Sequence, residues 1–168
     1  IYGFVRLADE IVDTFHDYDK VKLLDEFETN YKSAQENCIS LNPILHSFCV
    51  TQKEKKIPQH LVDAFLHSMK MDLGDIKDLN DEKYNEYIYG SAEVVGLMCL
   101  KVFVDGDIAE YEKLKPYAQS LGAAFQKINF LRDISADFND LNRTYFPNVD
   151  LNSFSVDDKS AIEMDIAS

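Results

Sequence analysis

Cysteine, glycine and proline are all scarce in this chain, which holds 3, 6 and 4 of them among 168 residues. The cysteines, at positions 38, 49 and 99, are irregularly spaced and include no C-x-x-C pair. They therefore indicate neither a disulfide framework nor a recognisable zinc site, and we expect a reducing, cytoplasmic setting. No alternating apolar pattern extends beyond a few residues, so nothing in the sequence favours a β-sheet.

Basic charge and long hydrophobic runs are also lacking. The sequence has 17 lysines and arginines and 30 aspartates and glutamates, which gives a net charge of -13. A field of this sign repels phosphate backbones, so we expect no nucleic-acid partner. An anionic substrate would need locally placed arginines or a bound cation. The longest uncharged run in the apolar middle of the chain is VVGLMCL, residues 94–100, far short of the ~20 residues that a membrane span needs.

The sequence does contain apolar residues at helical spacing throughout, at 46% hydrophobic and 12% aromatic content. This composition can fill the core of a single domain, and the period predicts an all-α fold. We expect helices over residues 1–16, 19–38, 42–52, 58–73, 82–104 and 107–139. The first residues lack a methionine, a signal-peptide pattern and a helix cap. We therefore expect residues 1–168 to be one partial domain, an excerpt of a longer protein.

Two of these helices carry carboxylates along one face. On a helical wheel, one stripe covers about 60° of the first helix and another about 80° of the last. The first stripe holds Tyr2, Arg6, Asp9 and Asp13. The second holds Gly122, Gln126, Asn129, Asp133 and Asp137, with Leu121, Ala124, Phe125, Ile128 and Leu131 on the opposite, apolar side.

The stripes have two interpretations. A solvated acidic face is common on surface helices. However, aspartate is a poor helix former, like charges at i, i+4 repel, and no lysine lies three or four residues from Asp9 or Asp13. A cation removes that repulsion, and hard oxygen ligands suit Mg²⁺ together with substrate phosphates. The second interpretation is that the two faces grip Mg²⁺ and a diphosphate. The repulsion also predicts that Asp133→Asn leaves metal-free stability unchanged or slightly improved.

Three segments carry a resemblance to a known family. LGAAFQKINFLRDISAD, residues 121–137, is followed by RTYFP, and the chain opens on YGFVRLADEIVD, residues 2–13. YIYGSAEVVGLMC spans residues 87–99. Together they resemble the two aspartate-rich motifs and the central helix of the squalene and phytoene synthase family, most closely a bacterial phytoene synthase. Glu10 stands where many members have a second aspartate, and Ile88 and Glu93 stand where small residues are usual.

The resemblance implies a role for each matching residue, on a helical bundle of the isoprenoid synthase type truncated at both ends. Metal ligands would be Asp9, Asp13, Asp133 and Asp137. Substrate-binding residues would be Gln126, Asn129, Arg143, Ala92 and Gly96. Catalytic residues would be Tyr87, Tyr145, Arg6 and Arg132. Two readings stay open: Tyr87 could pack with its hydroxyl in solvent, and Asp72 could be a polar group near the site or a charge at a helix end.

The resemblance also implies a reaction. Two prenyl diphosphates, with geranylgeranyl diphosphate expected, would condense head to head through a cyclopropylmethyl diphosphate to phytoene, with Mg²⁺ assisting each ionisation. The same motifs fit a squalene or dehydrosqualene synthase that uses farnesyl diphosphate. The alternative of another class is a non-catalytic relative that keeps the fold as a binding or assembly module. A lipophilic product would suit peripheral contact with a membrane.

Overall fold

The chain folds as a succession of helices. A computed structural model describes residues 1–74, 80–140, 145–147, 149 and 153–167, without the side chains of 136–140 and 167. The helices are α1 (Tyr2–Asp13), α2 (Lys20–Asn37), α3 (Pro43–Glu54), α4 (Gln59–Asp72), α5 (Asp81–Ile88), a π-helical segment (Tyr89–Glu93), α6 (Val94–Phe103), α7 (Ile108–Asp140) and α8 (Val156–Ala167). These described ranges contain no β-strand, and the predicted all-α class is confirmed.

Three features differ from the sequence prediction. Helix α1 ends at Asp13, three residues before the predicted end. The single central helix expected over 82–104 is interrupted by the π segment, which separates α5 from α6. Helix α8 was not predicted because its sequence lacks an apolar stripe: of its described side chains, Ile162 alone is fully buried. Contacts made elsewhere in the fold must therefore hold this helix in place.

Side-chain caps begin several helices sharply. The Asp19 carboxylate accepts a hydrogen bond from the backbone N–H of Lys22 at 3.0 Å, and Asn80 does the same for Lys83 at 2.9 Å. The amide oxygen of Asn42 accepts two such bonds at the start of α3. Each cap satisfies backbone donors that the first helical turn leaves unpaired, which fixes where the chain turns from loop to helix.

The buried residues form two clusters. The larger one joins α1, α2, α3, α4 and α6. At its centre Phe4 stacks on Phe48, with ring centroids 3.9 Å apart, and also contacts Phe27 and Tyr31. The smaller cluster is aromatic and lies between α5, α7, α8 and the segment after α7. It consists of Tyr84, Tyr87, Ile88, Phe130, Tyr145, Phe146 and Ile162. The apolar face of α1 is thereby fixed, and its polar face points away from the core.

Glycines let the central helix pack tightly against its neighbours. A Cβ placed on Gly96 would lie 2.7 Å from the carbonyl oxygen of Ala118, and one on Gly122 would lie 2.8 Å from that of Ala92. Helices α6 and α7 follow each other through a short turn, so they run antiparallel, and these two contacts fix their register. On the other side of the central helix, a Cβ on Gly90 would lie 2.6 Å from the carbonyl oxygen of Ala64 in α4.

Gly90→Ala tests the tight packing of the π segment on α4. Alanine normally stabilises a helix interior relative to glycine, but here its methyl group would press on backbone. We expect the melting temperature of the full-length protein to fall, reflecting a loss of about 1–3 kcal/mol. Gly3→Ala is the matched control because its Cβ would meet only Ile44 side-chain carbons, at 3.5 and 3.8 Å. Equal behaviour of the two variants would contradict the packing argument.

Candidate active site

A cavity of about 540 Å³ lies between α1, the central helix and α7. Its walls are almost entirely apolar. The predicted residues Ala92, Gly96 and Gln126 all border it, and Val5 of α1 lines it from the other side. The first and last motif helices therefore face a common cavity. Asp9 lies one turn beyond Val5 along α1, and Asp133 lies seven residues beyond Gln126 along α7. The convergence of all four aspartates on one cleft stays a prediction.

Two carboxylates of α1 have a basic partner in Arg6, an arginine rather than a lysine. The Arg6 guanidinium donates to Asp9 Oδ2 at 2.6 Å and also to Glu10. Even so, the pKa of Asp9 is raised, because partial burial and the nearby Asp13 carboxylate together outweigh the attraction of Arg6. Asp13 itself is exposed. The pair thus carries the like-charge repulsion that the sequence suggested.

On α7 the balance of charges is different. Arg132 donates two hydrogen bonds to the neighbouring Asp133, at 2.8 and 2.6 Å, and this contact holds the pKa of Asp133 below its ordinary value. Asn129 is half-buried one turn earlier. Arg143 and the Asp137 side chain lie outside the described residues, so their placement stays a prediction. The Arg132 contact argues against the expectation that Asp133→Asn is neutral or stabilising, since the mutation would remove a favourable pair.

The structure brings Tyr87 and Tyr145 together. Their ring centroids lie 5.5 Å apart, and Tyr145 stacks on Phe130 at 4.2 Å. The Tyr87 hydroxyl donates to both oxygens of Asp72, at 2.9 and 3.0 Å, and both residues are buried. Burial and the Asp72 charge raise the pKa of Tyr87 well above its ordinary value. The reading of Tyr87 as a solvent-exposed hydroxyl is therefore wrong. Asp72 does lie at a helix end, as the last residue of α4, and its carboxylate is buried against Tyr87.

Glu93 replaces a usual small residue without placing a charge in the cavity. Its carboxylate accepts a hydrogen bond from the Gln119 side-chain amide at 2.8 Å, and Glu93 does not belong to the cavity lining.

The apolar side of α7 includes Leu121 and Phe125, which the helical wheel places opposite the polar stripe. In the structure Leu121 and Phe125 are 60% and 63% exposed while they border the same cavity as Gln126. This side of α7 is therefore an apolar cavity wall.

The carboxylate oxygens of the aspartate motifs suit a hard cation, although the described side chains do not form a complete metal site. Among the residues that the structure describes, no three or more His, Cys, Asp or Glu side chains are grouped to hold a metal ion. What the structure provides is the Asp9 and Asp13 pair, in which burial of Asp9 and the Asp13 carboxylate raise the pKa of Asp9. A divalent cation would remove that cost, and carboxylate oxygen is the ligand that Mg²⁺ prefers.

Comparison with known proteins identifies the family. The chain is 26% identical to a 4,4'-diapophytoene synthase of Staphylococcus haemolyticus, covering 98% of this chain and 57% of the relative. It is 30% identical to a hydroxysqualene synthase of Sinorhizobium fredii, covering 87% and 48%. The chain thus spans about half the length of the curated relatives it matches.

The fold and the family model agree. The structure superposes on squalene synthase HpnC from Alicyclobacillus acidocaldarius with a TM-score of 0.77 at 22% identity, covering 98% of this chain and 64% of that one. This similarity confirms the all-α isoprenoid synthase fold. Residues 1–165 match the family model described as squalene/phytoene synthase. The chain therefore belongs to the squalene/phytoene synthase family.

Proposed function

We propose that the full-length protein condenses two prenyl diphosphates head to head, through a cyclopropylmethyl diphosphate, and that its substrate is the C20 diphosphate and its product phytoene. The observation that carries this proposal is the apolar cavity shared by α1 and α7, the two helices that bear the aspartate motifs. Apolar walls exclude water from carbocations, and the polar stripes at the ends of both helices can bind the diphosphates.

The arginines of the site are available to a diphosphate. Arg6 and Arg132 are 51% and 66% exposed at their side chains, and each is paired with a carboxylate on its own helix. Exposed pairs of this kind contribute only ~0–1 kcal/mol. Both guanidinium groups can therefore turn to phosphate oxygens, which they bind in a bidentate manner. Arg143 is proposed to join them.

Asp9, Asp13, Asp133 and Asp137 are the proposed ligands of Mg²⁺. When bound there, the ion would supply positive charge that stabilises diphosphate as a leaving group. Gln126 and Asn129 would orient the diphosphate end of the substrate.

The phenols are proposed to act on the carbon end of the substrate. Because the Tyr87 hydroxyl commits its proton to Asp72, the lone pairs of the phenol oxygen are the part that can face a cation. Tyr145, next to it, presents an aromatic ring to the same region.

The proposed setting is cytoplasmic, with peripheral membrane contact for release of a lipophilic product. In the part of the chain that the structure describes, no helix is both long enough and apolar enough to cross a bilayer. Phe103 and Tyr117, which border the cavity, are 81% and 70% exposed and support this contact.

Product analysis tests the reaction and the chain length together. We expect the full-length protein, with Mg²⁺ and no reductant, to convert geranylgeranyl diphosphate to phytoene in preference to a C30 product from farnesyl diphosphate. Mass spectrometry of the extracted lipids gives the answer for each substrate separately. Clean C30 formation with the C20 substrate ignored would favour the runner-up, a squalene or dehydrosqualene synthase. No turnover of either would favour the non-catalytic alternative.

Asp133→Asn tests the metal assignment through rate. Losing one proposed ligand should raise the barrier by several kcal/mol, which is on the order of a hundred- to several-thousand-fold in turnover. Asp25→Asn is the matched control because Asp25 is an exposed helical aspartate paired with a basic side chain, Lys70. Turnover is measured over a range of Mg²⁺ concentrations. If Asp133→Asn retained the rate and metal dependence of Asp25→Asn, Asp133 would be an ordinary surface residue.

Without metal, Asp9→Asn and Asp133→Asn should change the free energy of unfolding in opposite directions. Because the pKa of Asp9 is raised in the folded protein, ionisation of Asp9 destabilises the folded state as pH rises through that pKa. Asp9→Asn removes this charge, so it should be more stable than wild type at neutral pH. The lowered pKa of Asp133 contributes stability that is lost as pH falls through it, so Asp133→Asn should be slightly less stable at neutral pH.

Denaturant unfolding from pH 7 downwards, in the presence of a chelator, measures both differences. Each difference in the free energy of unfolding should fade in acid. That of Asp9→Asn should fade as pH falls through the raised pKa and be gone below the ordinary value of 3.8, whereas that of Asp133→Asn should fade as pH falls from 3.8 through the lowered pKa. Two shifts of the same sign would contradict the electrostatic account of the site.

A further inference from the structure

Two of the three cysteines border one cavity between neighbouring helices. Cys38 directly follows α2, and Cys49 lies in the second half of α3. This second cavity has a volume of about 700 Å³, and its lining comes from α2, α3 and the residues just after each helix. The cavity of the candidate active site lies elsewhere, between α1, the central helix and α7. Both cysteines are free thiols, so the second cavity exposes a pair of sulfur atoms.

The contacts between α2 and α3 place these two thiols opposite each other. Residues 38–42 join the helices, and helices joined by so short a loop pack antiparallel. The Gln35 side-chain amide donates to Gln52 Oε1 at 3.1 Å, so Gln35 lies opposite Gln52. In an antiparallel pair, the position one turn after Gln35 faces the position one turn before Gln52. Those positions are Cys38 and Cys49.

The backbone at Cys38 has a conformation that does not favour cysteine. Its φ of 56° lies in the left-handed region. Helices that end in this conformation usually have glycine there, because glycine has no Cβ to strain the turn. The local backbone therefore does not explain why position 38 carries a side chain, and a strained residue of this kind is a reason to look for function.

The surroundings of the two thiols differ. Cys38 is exposed, and Lys53 Nζ lies 3.9 Å from its sulfur. An ammonium group beside an accessible sulfur stabilises a thiolate, which is the form that attacks disulfides. Cys49 is half-buried, and burial, with a smaller contribution from the nearby Cys38, raises the pKa of its thiol. Cys38 is therefore the thiol that reacts first with a reagent from solution.

We propose that Cys38 and Cys49 are a modification site at which a low-molecular-weight disulfide is taken up and exchanged for an internal Cys38–Cys49 bond. Cys38 is the attacking thiol, and Cys49 resolves the mixed disulfide. A cavity of about 700 Å³ is large enough for a small organic disulfide. Under reducing conditions the pair stays as thiols, and it becomes a bond when small disulfides accumulate. The inference is independent of the proposed condensation.

The exchange balances in two steps. The Cys38 thiolate attacks one sulfur of the small disulfide, so that a new S–S bond forms to Cys38 and one small thiolate leaves. The Cys49 thiol then gives up its proton and attacks the sulfur of Cys38, which forms the internal bond and releases the second small thiolate. The two protons lost by the cysteines end on the two released thiols. Both cysteines are oxidised, and the small disulfide is the oxidant.

Peptide mass mapping tests the inference, because trypsin cuts after Lys32 and Lys53 and releases both thiols in one peptide, residues 33–53. The full-length protein is incubated with hydroxyethyl disulfide, its free thiols are blocked, and it is digested without reduction. We expect the wild-type peptide to have lost two hydrogen atoms. Cys49→Ser should stop at the mixed disulfide on Cys38, whereas Cys38→Ser should be modified at Cys49 about tenfold more slowly.

Lys53→Gln tests the surroundings of the attacking thiol. Because hydroxyethyl disulfide is uncharged, losing the ammonium cannot weaken attraction of the reagent, and we expect Cys38 to react about threefold to tenfold more slowly. The tryptic peptide of this variant ends at Lys55 instead. Lys22→Gln is the matched control, since Lys22 is an exposed lysine at the opposite end of α2 from Cys38. Equal rates in the two variants would contradict the role given to Lys53.

Comparison of folded and unfolded protein decides whether the fold pairs the thiols. In mixtures of hydroxyethyl disulfide and its thiol, the internal bond should form in the folded protein at about a tenfold lower ratio of disulfide to thiol than in denaturant, because the helices hold the sulfurs opposite each other. Equal ratios in the two states would overturn the inference. So would a wild-type protein that stops at the mixed disulfide, or a Cys38→Ser variant whose Cys49 reacts as fast as Cys38 does in wild type.

Discussion

The close contact between the central helix and α7 is the constraint on which the site depends. Gly96 and Gly122 leave no room for a Cβ against the carbonyl oxygens of Ala118 and Ala92. The two backbones can approach only because these side chains are absent. This approach sets the register of the central helix against α7. The cavity lies along that contact, and Val5, Val95 and Ala118 of its wall also pack against the core.

The arginines of the two motif helices pair with carboxylates, and a charged ligand can compete for either partner. Arg6 and Arg132 offset carboxylates on their own helices through exposed pairs of small energy. On α1 burial and a second carboxylate outweigh the arginine, whereas on α7 the arginine dominates. A protein of net charge -13 can bind an anion only where such arginines or a cation are concentrated. The motif helices carry two such arginines, Arg6 and Arg132, beside the proposed metal ligands.

The sequence predicts the helices and the cavity-facing stripe because both are periodic. Gly122 and Gln126 recur at helical spacing, and the structure places both on the cavity. The π segment does not follow from this periodicity, and the close packing of its Gly90 on α4 is a tertiary contact that no local pattern indicates. Helix α8 was missed because its position depends on tertiary contacts such as that of Asp165, which accepts hydrogen bonds from Tyr84 and Lys127. Buried partners such as Asp72 for Tyr87 lie far apart in sequence, and no local pattern indicates them.

The polar groups of the site change character from one end to the other. Exposed carboxylates and arginines lie at the motif ends of α1 and α7, followed by the amides of Asn129 and Gln126, and then by apolar walls. Two hydroxyls near the central helix are in opposite states: Tyr87, which is not among the residues that line the cavity, donates to Asp72, whereas Ser91 lines the cavity and is unpaired. A hydroxyl that donates to a buried carboxylate is fixed in orientation, while an unpaired one gains most from a bound molecule. A molecule in the cavity would therefore change the polar contacts of Ser91 more than those of Tyr87.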